Sequence, residues 1–587
     1  MVRLTSILPT TTIEKLEATA ISQRKKSTIR LIFWLIAILL GAIQAWANRF
    51  DLFSEDGLSY IDIADAYLRG DWQAAINGNW SPLYSWILGL FFFILKPSSY
   101  WEFPTVKLAN FLIFLFSLAC FEFLLFTVIS NYKAKSLFQS FQGATLIPEW
   151  AWLIWGYILF IWSSLRWIGV ECDTPDMCTA ALIYLAAAIV LRINNKSSSW
   201  RNFIILGLVL GIGYLSKSVM FPLAFLFLTI AMLSAGKIHQ TLPKTLVALL
   251  IFALITTPYI SAISLQKGRP TIGEAGKLSY AWYISPEVKD HYWRGEPPNS
   301  GIPKNPPRKI FNNPPAYEFS TPLKATYPIW YDPSYWNDGL KAKFNFLKQI
   351  KVTFSNFTHY YNLFLAILIF GYLILVSVGG SISDSRKELV VNWRLFAPAI
   401  AGLLIYMVVT DLTHLQPFDT RYTAPFIVLL FAATLSSVRL PNSLEVKRLL
   451  IGMTLGIFIV FGGKFAIELL KDFSHAIYQP QHIYWEIAEG LKDLGIQPGD
   501  KVAHLGYKKY YWARLAKVKI VAEIPDAGKF WQEDRVTRNQ AFQALQATGA
   551  KVVILKTGVK VPESQSVSGW QKLGKTQTYA YVLSNRF

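Results

Sequence analysis

The sequence predicts a mainly α protein, a polytopic transmembrane helical bundle of 11–13 spans with a large external loop and a small C-terminal α/β soluble domain. Three observations lead there. Hydrophobic residues make up 53% of the chain and charged residues 16%, too little polar surface to cover a soluble core of that size. The apolar residues fall in runs of roughly 16 to 25, the length a helix needs to cross about 30 Å of hydrocarbon. After residue 478 the pattern changes to short β-branched runs alternating with amphipathic stretches, the pattern of a small α/β domain.

Along the chain, a polar tail occupies residues 1–28 and a membrane module residues 29–477. Twelve apolar runs lie near 30–48, 81–96, 104–130, 149–167, 175–192, 202–216, 219–234, 244–263, 358–379, 394–411, 421–438 and 448–469. Backbone amides in lipid must bond within their own segment, so each run is expected to be helical. Arg24, Lys25, Lys26 and Arg30 precede the first run, Arg386 and Lys387 a later one, and Arg439, Lys447 and Arg448 lie between two more. Such basic links belong in the cytoplasm. Ala45-Trp46-Ala47 has the form of a signal-peptidase site, but the apolar run before it is long and the polar leader longer, so the first span is expected to stay.

Seven runs separate the polar stretch 49–80 from the loop 265–357. Seven crossings would put those two on opposite faces, whereas the charge bias puts both outside. One run between 81 and 167 is therefore expected not to cross. Eleven spans then leave residues 478–587 outside, as thirteen would. The implied location is a bacterial plasma (inner) membrane, with the loop 265–357 and the C-terminal domain on its outer side.

The loop 265–357 holds twelve prolines between Pro270 and Pro333, with Tyr280, Trp282, Trp293, Trp330, Tyr335 and Trp336 among them. Proline this dense excludes long helices and central strands, and the aromatics argue against a disordered linker. An irregular lid or binding loop is expected. In the C-terminal domain, strands are expected at Lys501–Leu505, Val518–Glu523, Lys551–Leu555 and Tyr579–Leu583, and an amphipathic helix over Asp534–Thr548. His504-Leu505-Gly506 lacks the further glycines of a phosphate-binding turn, so nucleotide binding is not expected there. The formal charge of +20 is scattered over links instead of forming one basic stripe, which speaks for membrane orientation and not for nucleic acid. Cys120, Cys172 and Cys178 cannot build a disulfide framework, and the seven His show no metal-ligand spacing.

The most informative stretch is Phe53-Ser54-Glu55-Asp56-Gly57-Leu58-Ser59-Tyr60, which follows the first span with two adjacent carboxylates. It continues through Asp62, Asp65 and Tyr67 to Arg69-Gly70-Asp71-Trp72, and Asn79-Trp80-Ser81-Pro82-Leu83-Tyr84 opens the next apolar run. Tyr60, Tyr67 and Trp72 suit an interfacial helix, and a solvated amphipathic connector would read the same way. Further along stand Asp173-Thr174-Pro175-Asp176, Gly213-Tyr214-Leu215-Ser216-Lys217 and Asp419-Thr420-Arg421-Tyr422-Thr423-Ala424-Pro425, the last just after His414. Each has a plain reading as well. Asp176 suits the first turn of a helix, Lys217 could snorkel to an interface, and Arg421 could anchor a span end.

In the order of these elements the chain resembles the GT-C class of membrane glycosyltransferases, in particular the protein mannosyltransferases and aminoarabinose transferases. The resemblance implies transfer of a sugar from a polyprenyl-phosphate donor to an acceptor hydroxyl, the acceptor being a glycan, a lipid or a protein. Asp56 matches the catalytic acidic position of the first external loop, with Glu55 beside it, and Asp176 matches the second acidic motif. Lys217 and Arg421 match the family's Lys and Arg elements, and Tyr60, Tyr84 and Tyr422 stand in the motifs expected to bind substrate. The chemistry suits these residue types. A carboxylate within reach of the acceptor serves as general base, and Lys or bidentate Arg stabilises the departing phosphate. A divalent metal could bridge acid and phosphate, although neither acidic motif is an Asp-x-Asp. A transporter, a lipid-linked-glycan ligase and a non-catalytic scaffold are the alternative readings.

Overall fold

The computed structural model describes residues 10–138, 144–193, 199–234, 236–285, 302–319, 325–335, 341–379, 382–413, 418–441, 443–478, 481–506, 510–556, 559 and 569–583. Trp293, Trp336 and His414 lie outside the described residues. Helix α1 (Thr10–Ala47) brings the chain to α2 (Glu55–Leu68), α3 (Trp72–Ala75) and α4 (Pro82–Leu95). The bundle continues with α5 (Glu102–Phe138), strand β1 (Ala144–Thr145), α6 (Glu149–Trp162) and a π-helical turn Ser163–Ile168. Next come α7 (Asp176–Arg192), α8 (Trp200–Ser216), α9 (Met220–Leu233) and α10 (Ile238–Lys267). The long loop holds α11 (Ala275–Tyr283), strands β2 (Arg308–Phe311) and β3 (Ala316–Glu318), and α12 (Pro328–Tyr331). The bundle resumes with α13 (Phe346–Tyr360), a π-helical turn Tyr361–Leu365, α14 (Ala366–Gly379), α15 (Ile382–Val391) and α16 (Trp393–Val409). It closes with α17 (Ala424–Leu435), β4 (Leu440–Pro441) and α18 (Leu444–Tyr478).

The expected helical bundle is present. Among the described residues six helices are long and apolar enough to cross a membrane by length and composition, and α4, α8, α9, α16 and α17 are shorter apolar helices. Glu122 shows how α5 tolerates a charge in mid-span: Arg30, Trp34 and Tyr157 all donate to its carboxylate, as an intramembrane acid requires. Small residues let helices touch. A Cβ at Gly207 of α8 would come within 2.5 Å of the Ala248 carbonyl oxygen of α10, so the two backbones meet there as small-residue interfaces allow.

Contacts sort the helix ends into two faces. On one, Lys26 and Lys133 pair with Glu149, Arg394 donates to the Ile193 and Ser234 carbonyls, and Arg439 pairs with Glu388. On the other, His475 meets the Ala47 carbonyl and Gln44 bonds to Leu165 and Val170. Helix α4 returns to the face it left. Trp80 before it donates to the Tyr331 carbonyl at 3.2 Å, and Tyr100 after it stacks edge-on with Phe50 at 5.4 Å and Trp485 at 5.2 Å. Its 14 residues reach only about 21 Å, and it lies along α2, with Gly89 over the Ala64 carbonyl. Both ends of the run at 81–96 thus lie on one face of the bundle.

The C-terminal segment contains α19 (Ile483–Asp493), β5 (Lys501–Leu505), α20 (Tyr511–Leu515), β6 (Lys519–Ile524), α21 (Ala527–Gln532), α22 (Arg535–Gln546), β7 (Val552–Leu555), β8 (Trp570–Lys572) and β9 (Tyr579–Val582). A seven-stranded sheet runs β2-β3-β6-β5-β7-β9-β8, with β5 parallel to β6 and β7 and the remaining pairs antiparallel. Helix α22 covers one side of it through Phe542 and Leu545. Two of its strands come from the long loop, where the proline content was expected to exclude central strands: β2 is at the sheet edge, but β3 lies inside the sheet. Pro306 and Pro307 precede β2 and Pro314 and Pro315 fall in the turn before β3, positions where a missing N–H costs the ladder nothing. The loop and the C-terminal segment therefore share one face of the bundle.

Candidate active site

Helix α2 begins directly after α1, and its first turn carries Glu55 and Asp56, where negative charge meets the positive end of the helix. Gly57 lets α2 lean on the loop before α7: a Cβ there would lie 2.7 Å from the Asp173 Cβ. Asp173 is itself fully buried and tied down by Lys107 at 2.7 Å, by Asn110 at 3.1 Å and by the Phe53 amide at 2.9 Å. This arrangement fixes the height of Asp56 against Asp176, the first residue of α7.

Four charged side chains converge. The Arg421 guanidinium lies 3.6 Å from the Asp56 carboxylate and 3.3 Å from that of Asp176. Lys217, just beyond α8, pairs with the other oxygen of Asp176. Thr174 donates to Asp176 at 2.5 Å and Trp330 of α12 to Asp56 at 3.1 Å. The Lys217 ammonium sits 3.9 Å above the Tyr422 ring, which stacks on Tyr406 at 5.4 Å, and Arg421 donates to the Tyr422 hydroxyl at 2.9 Å. Together these residues line a cavity of about 430 Å³, walled also by Tyr60, Trp80, Lys277, Trp282 and Ile405.

The cavity exposes its reactive groups unequally. The side chains of Asp56 and Lys217 are each 23% exposed, those of Arg421 and Asp176 only 8% and 3%. Burial raises the Asp56 carboxyl above its ordinary range, against the opposing pull of Arg421 and the Trp330 hydrogen bond. The like charge that adds to the rise is Asp176. Burial likewise lowers the Lys217 ammonium, with Asp176 working against it.

Of the sequence-predicted residues, Asp56, Asp176, Lys217, Arg421, Tyr60 and Tyr422 line this cavity. Two lie elsewhere. Glu55 is buried off the cavity wall, and its charge is felt by Tyr484 and Tyr511. Successive residues on a helix are about 100° apart, so Glu55 and Asp56 face different ways. Tyr84 stands one layer back, fully buried, packed edge-on against Tyr60 at 5.2 Å and donating to Asn110 at 2.7 Å. Sequence reasoning missed Lys107 and Tyr406 and gave Trp330 no role. Lys107 had the same signal as Lys217, a lone cation in an apolar run.

Among the described residues no group of three or more His, Cys, Asp or Glu side chains could hold a metal. Asp56 and Asp176 meet across the Arg421 guanidinium.

No family model matches the sequence, and no curated protein is significantly similar to it. Among solved structures, ArnT from Cupriavidus metallidurans bound to undecaprenyl phosphate matches with a TM-score of 0.50 at 11% identity, over 95% of this chain and 98% of that one. The archaeal oligosaccharyltransferase AglB from Archaeoglobus fulgidus, in complex with an inhibitory peptide and a dolichol-phosphate, gives 0.41 at 10% identity, over 90% and 69%. At such identity the likeness to ArnT is one of fold: the chain has the membrane fold of that protein along nearly its whole length.

Proposed function

We propose that the protein is a GT-C-type membrane glycosyltransferase that moves a sugar from a polyprenyl-phosphate carrier to an acceptor hydroxyl. The observation that carries this reading is the meeting of two carboxylates and two cations in one cavity at the membrane mouth. The shared fold supports it, since ArnT of that fold binds undecaprenyl phosphate.

In the step proposed, the bond from the anomeric carbon to the phosphate oxygen breaks and its electron pair leaves with the carrier. The acceptor oxygen bonds to the same carbon, and its proton passes to Asp56. Burial, by raising the Asp56 carboxyl, strengthens it as a base. Arg421 and Lys217 take the charge that appears on the departing phosphate, preorganised in a site that largely excludes water. Before donor binds, both cations are engaged by carboxylates. A phosphate drawing Arg421 away from Asp56 would free that carboxylate to accept a proton, which ties base activation to donor occupancy.

The site face is assigned to the non-cytoplasmic side because Lys26, Lys133 and Arg439 mark the opposite one. The test is incubation of membranes holding the full chain with labelled polyprenyl-phosphate sugars. Label should move to a glycan, lipid or protein fraction and fail to move with Asp56→Asn. Uptake of free solute without transfer would make it a transporter, and transfer only from oligosaccharide-loaded carriers a ligase.

A further inference from the structure

Helix α13 has two unlike sides. Ile350, Phe354, Phe357 and Tyr361 are large, apolar and exposed. Lys351, Ser355, Thr358, His359 and Asn362 recur at the three- and four-residue steps of a helix face and line an open cavity of about 660 Å³. Thr413 closes it from the far side, its hydroxyl 3.2 Å from that of Ser355. Polar side chains on a membrane-crossing segment are costly and point to function. None of these lines the cavity that holds Asp56.

The stripe ends at the π-helical turn Tyr361–Leu365, a distortion that recurs at functional sites. Asn362 and Leu363 from that turn also line a second cavity of about 460 Å³, mostly apolar, with Lys464 of α18 as its charged lining residue. Its floor is Phe121 and Leu124 of α5, 3% and 1% exposed, so it reaches past the outer helices into the bundle. Its rim includes Ile367 of α14 and Val460 of α18, 60% and 54% exposed. A lipid resting on the outside of the bundle would not reach that floor; an inserted chain would. Both volumes fall in the range of roughly 300–1,000 Å³ usual for small-molecule sites.

We propose that the two cavities form one binding site for an anionic membrane phospholipid, its phosphate at Lys351, one acyl chain in the second cavity. Charge selects the occupant. Lys351 supplies a positive head end, and Asn362, which lines both cavities, marks the passage from head to chain. The site is separate from the proposed transferase cavity, and its test needs no turnover.

The experiment places the full chain in phosphatidylcholine nanodiscs doped with a phosphatidylglycerol carrying a diazirine at its acyl terminus, and maps labelled residues by mass spectrometry. Labels are expected on Leu124 and Gly156 inside the cavity. Gly371→Phe should remove them, because Gly371 lines the cavity and a Cβ there meets nothing within 4 Å. Labels on the lipid-exposed Ile459 should stay. Lys351→Gln should cut interior labelling by the phosphatidylglycerol probe about fivefold, the usual worth of one surface cation toward anionic lipid, and leave a phosphatidylcholine probe unchanged. Equal interior labelling by both probes, or labelling confined to exposed residues such as Ile459, overturns the proposal. So does displacement by polyprenyl phosphate but not by unlabelled phosphatidylglycerol. Tryptophan fluorescence melting checks that Gly371→Phe folds; if it does not, the Lys351→Gln comparison decides.

Discussion

Asp56 and Glu55 are adjacent carboxylates with different fates, and the difference is testable. Asp56→Asn should lower transfer roughly 10²–10⁴-fold, the usual share of a general base, with the folded protein retained, whereas Glu55→Gln should leave turnover within a few-fold. Because burial raises the Asp56 carboxyl, its charged form is lost as pH falls through a value above the ordinary carboxylate figure of about 4. The acid limb of a kcat/KM profile should therefore lie above that figure and vanish in Asp56→Asn. A limb at the ordinary value would mean that Arg421 outweighs burial. Lys217→Met should weaken donor binding by roughly 2–5 kcal/mol, as loss of a buried charged contact does, with acceptor binding little changed; equilibrium binding of each substrate separates the two. Individual charges in apolar surroundings were legible in the sequence because membrane chemistry makes them rare. Side-chain direction was not, so Glu55 and Tyr84 were placed in the site while Tyr406, buried in an apolar run, went unnoticed.

At the scale of elements, α2 is held from outside the bundle. Arg514 of α20 reaches Asp62 at 3.1 Å and Asp65 at 2.6 Å on α2, and Glu102 of α5 at 2.5 Å. Asp62 also accepts from the Thr326 amide and hydroxyl, both at 2.8 Å. Removing the guanidinium strands three carboxylates, so Arg514→Gln should destabilise the protein by roughly 3–5 kcal/mol. Asp62→Asn added to it should recover part of the loss, because paired groups do not act additively; chemical denaturation of the four variants measures the coupling. The strands at Lys501–Leu505 and Tyr579–Val582 and the helix Arg535–Gln546 were legible within a residue or two, since alternation and helical period are local. The strands β2 and β3 were not: they pair with each other across a proline turn, and β3 joins the sheet only through β6, some two hundred residues on.

Across the whole molecule the basic helix ends gather on one face and the sheet on the other, and the proposed orientation is tested by accessibility. A cysteine at Lys572, on the sheet face, should react with a membrane-impermeant maleimide in intact cells, and one at Ser443, at the start of α18 on the opposite face, only after permeabilisation. The reverse pattern would place the candidate site in the cytoplasm. The parity argument called for a non-crossing run because charge bias acts on the chain as a whole, yet it could not say which run; α4, whose two ends lie on one face of the bundle, fits that expectation.

The sheet that joins the loop to the C-terminal segment also sets an order of events during synthesis. Strands β2 and β3 leave the ribosome long before β6, the partner of β3, and Arg514 arrives long after the acids it neutralises on α2 and α5. A nascent chain can thread its helices through the bilayer yet cannot neutralise Asp62 and Asp65 of α2 through Arg514 until its last eighty or so residues are being made. Chains cut short by a stalled ribosome or a frameshift would thus be inserted but inert, and their unpaired hairpin and uncompensated carboxylates would mark them for quality control.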